Sequence, residues 1–274
     1  VGKELTKHFL NFVKNCFMRL AVAGSAGRMG RLVVKHAIAE GLKVVQAFDI
    51  VEVGRDAGEV AGIGRIDVAI ESDIENLDAD VLIDFTNPSA CLENARVASK
   101  KGVKLVIGTT GFSEEQRREL ERICSRVPSV VSPNFSIGVN AFFKIVEFTS
   151  SLLKDYDVEI FEIHHKHKKD APSGTAIRVA EIIRNVLSEK GRKLELKFCR
   201  DGKKGEEIGI FGIRGGDVVG EHVVMFFSEG ERVEIVHRAT SRDCFAKGAI
   251  LAVKWISKVE KPGIYSMLDV LGLT

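Results

Sequence analysis

The sequence predicts an α/β protein in two parts: a parallel sheet covered on both faces, followed by an α+β part built on a mainly antiparallel sheet. Three observations carry this. Short, near-continuous Val/Ile/Leu runs alternate with helical segments as far as Pro133. Glycines cluster where the first such run gives way to a helix. Beyond Pro133, apolar and polar residues alternate along longer strands joined by glycine-rich turns.

The first strand is RLAVAG (19–24), followed by a helix over 28–40 with Met29, Val33, Ala37 and Ile38 on one side. KVVQAFDI (43–50) and DVLIDFT (80–86) read as the next strands. Then come a helix over 88–100, the strand LVIGTTG (105–111), a helix over 113–126 and the short strand SVVSP (129–133). In the second part a helix is expected over 138–154. YDVEIFEIHH (156–165) alternates like a strand with one wet face, and a helix follows over 175–189. LELKF, IGIFGIR, VVGEHVVMFF and RVEIVHRA are strands, and a last helix over 245–258 is expected to return to the first part. The domain boundaries follow: an extension at 1–17, a nucleotide-binding domain at 18–133, a substrate-binding and oligomerisation domain at 134–244, and a C-terminal helical return at 245–274.

Bulk composition excludes several classes. The 274 residues are 45% hydrophobic and 28% charged with a net charge of +2, so neither nucleic acid nor an anionic membrane is indicated as a partner. No apolar run reaches the ~20 residues needed to cross a bilayer. The five cysteines, Cys16, Cys91, Cys124, Cys199 and Cys244, are odd in number and scattered without a CxxC, which points to reduced, mostly buried thiols in a cytoplasmic protein. Residues 1–17 carry Leu5, Phe9, Phe12, Val13 and Phe17 at helical spacing. They read as an amphipathic extension, a weak targeting segment or residues upstream of the functional start, and Met18 is the expected start.

Gly24, Gly27 and Gly30 form GSAGRMG between a strand and a helix. Small residues there let the backbone approach a pyrophosphate, whose charge sits at the helix N-terminus. Asp49 ends the second strand about 20 residues later, where a Rossmann-type dinucleotide fold places its ribose-binding carboxylate. Gly24, Ser25, Gly27, Arg28, Met29 and Gly30, with Asp49, are therefore candidate cofactor residues. Phe85 and Thr86, and Gly108, Thr109 and Thr110, lie at later strand ends and are candidates for the nicotinamide pocket. A carboxylate at Asp49 followed by Ile50 disfavours a 2'-phosphate, although Arg28 or Arg55 is within sequence reach of one. NADH is expected to serve at least as well as NADPH.

HHKHKKDAPSGTA (164–176) crowds three histidines and three lysines ahead of a helix start. Neighbouring side chains on a strand diverge, so His164 and His165 do not share a metal without a bend, and no carboxylate or thiol completes a ligand set; no metal is expected. The alternatives are a solvated basic loop and an anion pocket. Ser173, Gly174 and Thr175 open the following helix, where free N–H groups suit a carboxylate, and this favours the pocket. A histidine and a lysine beside it are also proton donors, and the residues alone leave open which of them donates.

The segment EIHHKHKKDAPSGTA, together with VAGSAGRMG, DFT, GTTGF, NFSIGVN, RGGDVVGEH and HRATSR in this order, resembles the dihydrodipicolinate reductase family from about Met18 to the C-terminus. The resemblance implies a two-domain, NADH- and/or NADPH-dependent enzyme of diaminopimelate and lysine biosynthesis, commonly a homotetramer, acting on a small cyclic dicarboxylate. It implies His164 as proton donor with Lys168 as its catalytic partner. His165, Lys168, Ser173, Gly174, Thr175 and Arg242 fall at substrate positions, and Phe135 joins the cofactor residues. The two domains are expected to close on the ligands, bringing cofactor and substrate together and excluding water. Two rival readings stand beside the resemblance: another Rossmann oxidoreductase acting on an amino or oxo acid, and a non-catalytic nicotinamide-nucleotide-binding regulator.

Overall fold

The computed structural model describes residues 18–274. The expectations for residues 1–17, and for Cys16, lie outside the described residues. Two compact units form: the described residues up to Ser136 together with Asp243–Thr274, and Ile137–Arg242.

In the first unit β1 (Arg19–Ala23), β2 (Lys43–Phe48), β3 (Ile70–Glu71), β4 (Val81–Asp84), β5 (Lys104–Ile107), β6 (Pro128–Val131) and β12 (Gly263–Tyr265) form one seven-stranded sheet in the order β12-β6-β5-β4-β1-β2-β3. Every pairing is parallel. Its helices are α1 (Arg28–Ala39), α2 (Ala57–Ala61), α3 (Pro88–Lys100), α4 (Glu114–Cys124), α7 (Asp243–Ile256) and α8 (Met267–Leu271).

The near-continuous apolar strands are explained by the two faces of this sheet. Leu20 and Val22 of β1, with Val81 and Ile83 of β4, pack on one side with Val33, Val34 and Ala37 of α1 and Ala249, Ile250 and Val253 of α7. Ala21, Ala23, Leu82, Leu105 and Ile107 face the other side, under Leu92, Ala95 and Ala98 of α3 and Leu120 and Ile123 of α4. Successive side chains must alternate faces, so a sheet buried on both sides needs apolar residues at every position. The glycine-loop helix and the last long helix thus cover the same face, where His36 of α1 and Asp243 of α7 also meet at 2.6 Å.

Strand ends come earlier than the apolar runs suggest. DVLIDFT leaves the ladder after Asp84, and LVIGTTG leaves it after Ile107, so their last residues are loop. Helix α4 starts at a full capping box, in which Ser113 Oγ accepts from Gln116 N and Gln116 reaches back to Ser113 N. The short β3, α2, β12 and α8 were not anticipated. Each has five residues or fewer, too short for a hydrophobic period to show.

The second unit contains α5 (Ile137–Leu152), β7 (Asp157–His164), α6 (Gly174–Glu189), β8 (Glu195–Lys197), β9 (Glu207–Arg214), β10 (Gly220–Ser228) and β11 (Glu231–Ala239). Its five-stranded sheet, ordered β11-β10-β7-β9-β8, is mainly antiparallel as expected, with two parallel pairings at one edge. β7, β10 and β11 pair antiparallel, whereas β7–β9 and β8–β9 are parallel. Helix α6 is the reason: a strand followed by a crossover helix returns parallel to itself. One face packs Val158 and Ile160 of β7, Ile208 and Ile210 of β9, and Val224 and Phe226 of β10 under α5 and α6.

Of the four described cysteines, Cys91 and Cys124 are buried as expected, Cys244 is half-buried and Cys199 is exposed. Burial pushes the Cys124 thiol up to about 12. No described helix is long and apolar enough to cross a membrane.

Candidate active site

β1 and β4 are neighbours in the sheet although two strands separate them in sequence. Chain direction across the sheet reverses at that point, where open parallel sheets bind ligands beyond their strand ends. The loops after β1, β2 and β4 enclose a cleft of about 350 Å³ there, lined in part by Gly24, Gly27, Asp49, Phe85 and Thr86.

The glycines are set by contact as well as by conformation. Gly24 has φ +75°, and a Cβ on it would lie 2.6 Å from the Phe85 carbonyl oxygen. A Cβ on Gly30 would lie 2.0 Å from the Gly24 carbonyl oxygen, so the loop folds tightly onto its own helix. Gly27 is the N-cap of α1 and supplies no side-chain cap. Orphan N–H groups are thereby left at a positive helix end, as a bound pyrophosphate requires.

Asp49 accepts at 2.9 Å from Ala26 N through one carboxylate oxygen, and through the other at 2.8 and 3.2 Å from Ile50 N and Val51 N. The acid at the second strand end is therefore tied directly to the glycine loop. Ile50 is 87% exposed beside it. Asp73, Glu75 and Glu93 add further carboxylates to the cleft, and among the described residues lining it none is Lys or Arg. Arg55 is engaged by Glu52 at 2.7 Å, and Arg28 is exposed on the first turn of α1.

Other predicted cofactor residues occupy supporting positions. Ser25 is buried with its hydroxyl 3.3 Å from the Phe48 carbonyl oxygen. Met29 is half-buried against the core. Thr86 and Thr109 donate their hydroxyls to buried Asp84 at 2.7 and 2.8 Å, and Asn94 donates to its other oxygen at 2.7 Å. The ring of Phe85 lies over Gly108, where a Cβ would meet it at 2.1 Å. Phe135 is buried behind Phe85, edge to face at 5.9 Å, and Thr110 is exposed. The sequence marks Asp84 only as part of a strand end; its one buried carboxylate fixes the loops after both β4 and β5.

In the second unit β7 ends at His164. Glu162 and His164 share the buried face of this strand, and His164 Nδ1 lies 2.5 Å from Glu162 Oε2. Glu162 is completely buried and also receives both terminal nitrogens of Arg214, at 2.7 and 2.8 Å, and Ser173 N at 3.0 Å. Burial alone would raise the Glu162 carboxyl, but the hydrogen bonds from His164 and Arg214 hold it at about 2.

The turn after His164 is laced to the β9–β10 loop, with His165 N donating to the Val218 carbonyl oxygen at 2.8 Å. His165 lies on the other side of the chain from His164, close enough to Arg242 that burial and that guanidinium lower its pKa. Lys168 Nζ meets the Asp170 carboxylate at 2.8 Å. Ser173 caps α6: its hydroxyl accepts from Ala176 N at 3.2 Å and pairs with His222 Nε2 at 3.1 Å. His222 is buried with its ring 5.4 Å from that of His164, and desolvation, followed by the charges of His164 and His237, lowers its pKa to about 3. A Cβ on Gly174 would meet nothing within 4 Å, so the first turn of α6 is open to a ligand there.

His164, His165, Lys168, Ser173, Gly174, Thr175 and Arg242 thus belong to one unit, around the end of β7 and the start of α6. Glu162, Arg214 and His222 were missed. A carboxylate at an inward position of an alternating strand was the signal for Glu162. Nothing local marks Arg214 or His222, which reach the site from other strands.

A cleft at the switch point of a parallel sheet beside a glycine loop and an uncapped helix start, with a cationic and proton-bearing cluster on a second sheet, has the features of a two-domain nicotinamide-dependent oxidoreductase. Comparison with known proteins narrows that class. Residues 18–135 match the model of the dihydrodipicolinate reductase N-terminus, and residues 138–271 that of its C-terminus. The chain belongs to the dihydrodipicolinate reductase family. The 4-hydroxy-tetrahydrodipicolinate reductase of Archaeoglobus fulgidus is 63% identical, covering 93% of this chain and 100% of that protein. The enzyme of the same name from Methanocaldococcus jannaschii is 49% identical over 93% of this chain and 98% of that one. The solved structure of a dipicolinate-bound dihydrodipicolinate reductase from Paenisporosarcina sp. TG-14 superposes with TM-score 0.73 at 26% identity, covering 92% and 98% of the two chains.

Proposed function

We propose that this chain reduces dihydrodipicolinate, formed from 4-hydroxy-tetrahydrodipicolinate by loss of water, to tetrahydrodipicolinate in diaminopimelate and lysine biosynthesis. The observation that carries the reading is the assembly of His164, Lys168 and the open start of α6 around one strand end.

The first unit fits a nicotinamide nucleotide. The uncapped start of α1 receives its pyrophosphate, Asp49 its adenosine ribose, and the loops after β4 and β5 surround its nicotinamide end. When bound, NADH or NADPH supplies the hydride.

The second unit holds the dicarboxylate. The start of α6 at Gly174 and Thr175 takes one carboxylate at the positive helix end, and Lys168, His165 and Arg242 supply the positive field. Negative charge develops toward the ring nitrogen as the conjugated C=C–C=N system is reduced, and His164 or Lys168 gives the proton that quenches it. His164 is the better placed of the two. An ionised Glu162 accepts at Nδ1, so Nε2 is the nitrogen that exchanges a proton, whereas the Lys168 ammonium is already engaged by Asp170.

A homotetramer and a cytoplasmic setting belong to the same proposal. The sheet face opposite α5 and α6 presents Phe161, Val223, Met225 and Phe211, with Val236 and Ile213 exposed, an apolar surface suited to further copies of this chain.

The test is oxidation of NADH and NADPH with freshly generated dihydrodipicolinate, beside aspartate and homoserine as controls. Turnover with dihydrodipicolinate alone, inhibited by dipicolinate, is expected. Cofactor binding without turnover would favour a regulator, and turnover with the amino-acid controls another oxidoreductase.

A further inference from the structure

We infer that Glu162 is a positioning residue which, paired with Arg214, sets the His164 imidazole, the Lys168 loop and the start of α6 in one arrangement. The inference rests on the proposed roles of His164 and Lys168.

A carboxylate has about four lone-pair sites, and all four of Glu162 are used. Oε1 accepts from Arg214 Nη2 at 2.7 Å and Ser173 N at 3.0 Å; Oε2 accepts from Arg214 Nη1 at 2.8 Å and His164 Nδ1 at 2.5 Å. Arg214 Nη2 also donates to the Asp170 carbonyl oxygen at 2.6 Å, and Asp170 holds Lys168. Three strands of control therefore leave one ion pair, toward the imidazole, the ammonium-bearing loop and the helix start.

Space is kept for this arrangement. A Cβ on Gly212 would come within 2.8 Å of Glu162 Oε1, so the carboxylate lies across that glycine. A Cβ on Gly220 would come within 3.0 Å of His164 Nε2, so glycine leaves room at the nitrogen that exchanges the proton. The charged and titratable groups around the imidazole come from every neighbouring element: Glu162 on β7, Arg214 on β9, His222 on β10, and His165, Lys168 and Asp170 in the loop. Among them only Glu162 accepts from Nδ1. An acceptor-only partner there allows a single neutral tautomer.

A buried ion pair that served stability alone would be replaceable by matched neutral side chains with little loss. The positioning role predicts otherwise. The full chain is compared as wild type, Glu162→Gln, Glu162→Asp and the double variant Glu162→Gln with Arg214→Met, which leaves no unpaired buried guanidinium. The readouts are steady-state kinetics with NADH and dihydrodipicolinate and 15N spectra of the His164 ring.

The wild-type ring, when neutral, should carry its proton on Nδ1, the form left once the imidazolium has given its Nε2 proton to the substrate and the form that takes up the next one. Glutamine can offer Nδ1 either end of its amide, so Glu162→Gln should give mixed tautomers and a kcat about 10²-fold lower, the scale of a misdirected general acid. The KM for NADH should stay within twofold. Glu162→Asp should recover at least tenfold in kcat, and the double variant should remain impaired even when its Tm is native. An unchanged tautomer in Glu162→Gln, or a kcat within threefold of wild type in the single or double variant, overturns the inference. If the wild type does not turn over dihydrodipicolinate, the functional reading fails while the ring spectra alone still decide the positioning role.

Discussion

Two helices of this chain begin where an anion is proposed to bind, and they begin differently. α1 opens at Gly27, which supplies no side-chain cap, so backbone donors remain for a ligand. α6 opens at Ser173, whose hydroxyl takes Ala176 N, while Glu162 takes the Ser173 amide. The first start is shaped by the absence of side chains: Gly24 and Gly30 allow backbone contacts that a Cβ would forbid. The second is shaped by side chains from three strands: His164 of β7 and Arg214 of β9 meet the Glu162 carboxylate, and His222 of β10 meets the Ser173 hydroxyl. A pyrophosphate is a constant feature of its cofactor and needs only fixed backbone dipoles. A substrate that changes charge as it reacts needs groups able to give protons, and these need partners to aim them.

The contrast predicts where substitution hurts catalysis most. His164→Gln should lower kcat by about 10²- to 10³-fold with little change in the KM for NADH, because only proton donation is lost. Lys168→Ala should lower kcat and also raise the KM for dihydrodipicolinate at least tenfold, because this ammonium both binds the substrate and stabilises the negative charge that develops on it. Wild-type kinetics in both variants would remove the assignment.

Acid stability should differ next. His222 has a folded pKa near 3 against 6.5 for the free side chain. Below pH 6.5 the unfolded chain takes up a proton that the folded chain refuses, so stability falls as pH drops from 6.5 toward 3, by about 1.4 kcal/mol per pH unit per proton. Glu162 is depressed from 4.5 to about 2, and its contribution, full above 4.5, is lost as pH falls through that lower window. His222→Gln should flatten the upper window alone, as read by denaturant unfolding at stepped pH.

The smallest effect concerns cofactor choice. Ile50 is exposed next to Asp49 in a cleft lined with carboxylates, so NADH should be used at least as well as NADPH. Ile50→Arg should raise kcat/KM for NADPH about tenfold, as one charge-assisted contact to a 2'-phosphate would, and leave NADH within twofold. A wild-type enzyme strongly preferring NADPH would show that the acids do not govern the choice.

The two regions were also unequally legible in the sequence. The parallel sheet and its glycine loop are local patterns: a run, a turn and an amphipathic helix within about 30 residues. Asp49 could be singled out, and its contact with the glycine loop expected, because its distance from the loop is fixed by one strand–helix–strand unit. The second site depends on strand order. Arg214 faces His164 only because β9 lies parallel beside β7, and His222 arrives on β10 from the other side. The helix α6 was legible, but which strand its crossover brings beside β7, and so which neighbour supplies Arg214, is set by the sheet order. Glu162 was visible in FEIHH as an acid on the inward face, but its fourfold hydrogen bonding is a tertiary fact. The same holds for Asp84, which read as a strand end and proved to be a buried hub for Thr86, Thr109 and Asn94.

Binding measured separately for each ligand tests the division of labour most directly. NADH and dipicolinate are titrated by calorimetry onto wild type, Gly30→Ala and Lys168→Ala. A Cβ at position 30 would lie 2.0 Å from the Gly24 carbonyl oxygen, so Gly30→Ala should weaken NADH at least tenfold and leave dipicolinate within threefold. Lys168→Ala should do the reverse. Loss of both ligands in either variant, or of neither in both, would contradict a backbone-built cofactor site and a side-chain-built substrate site.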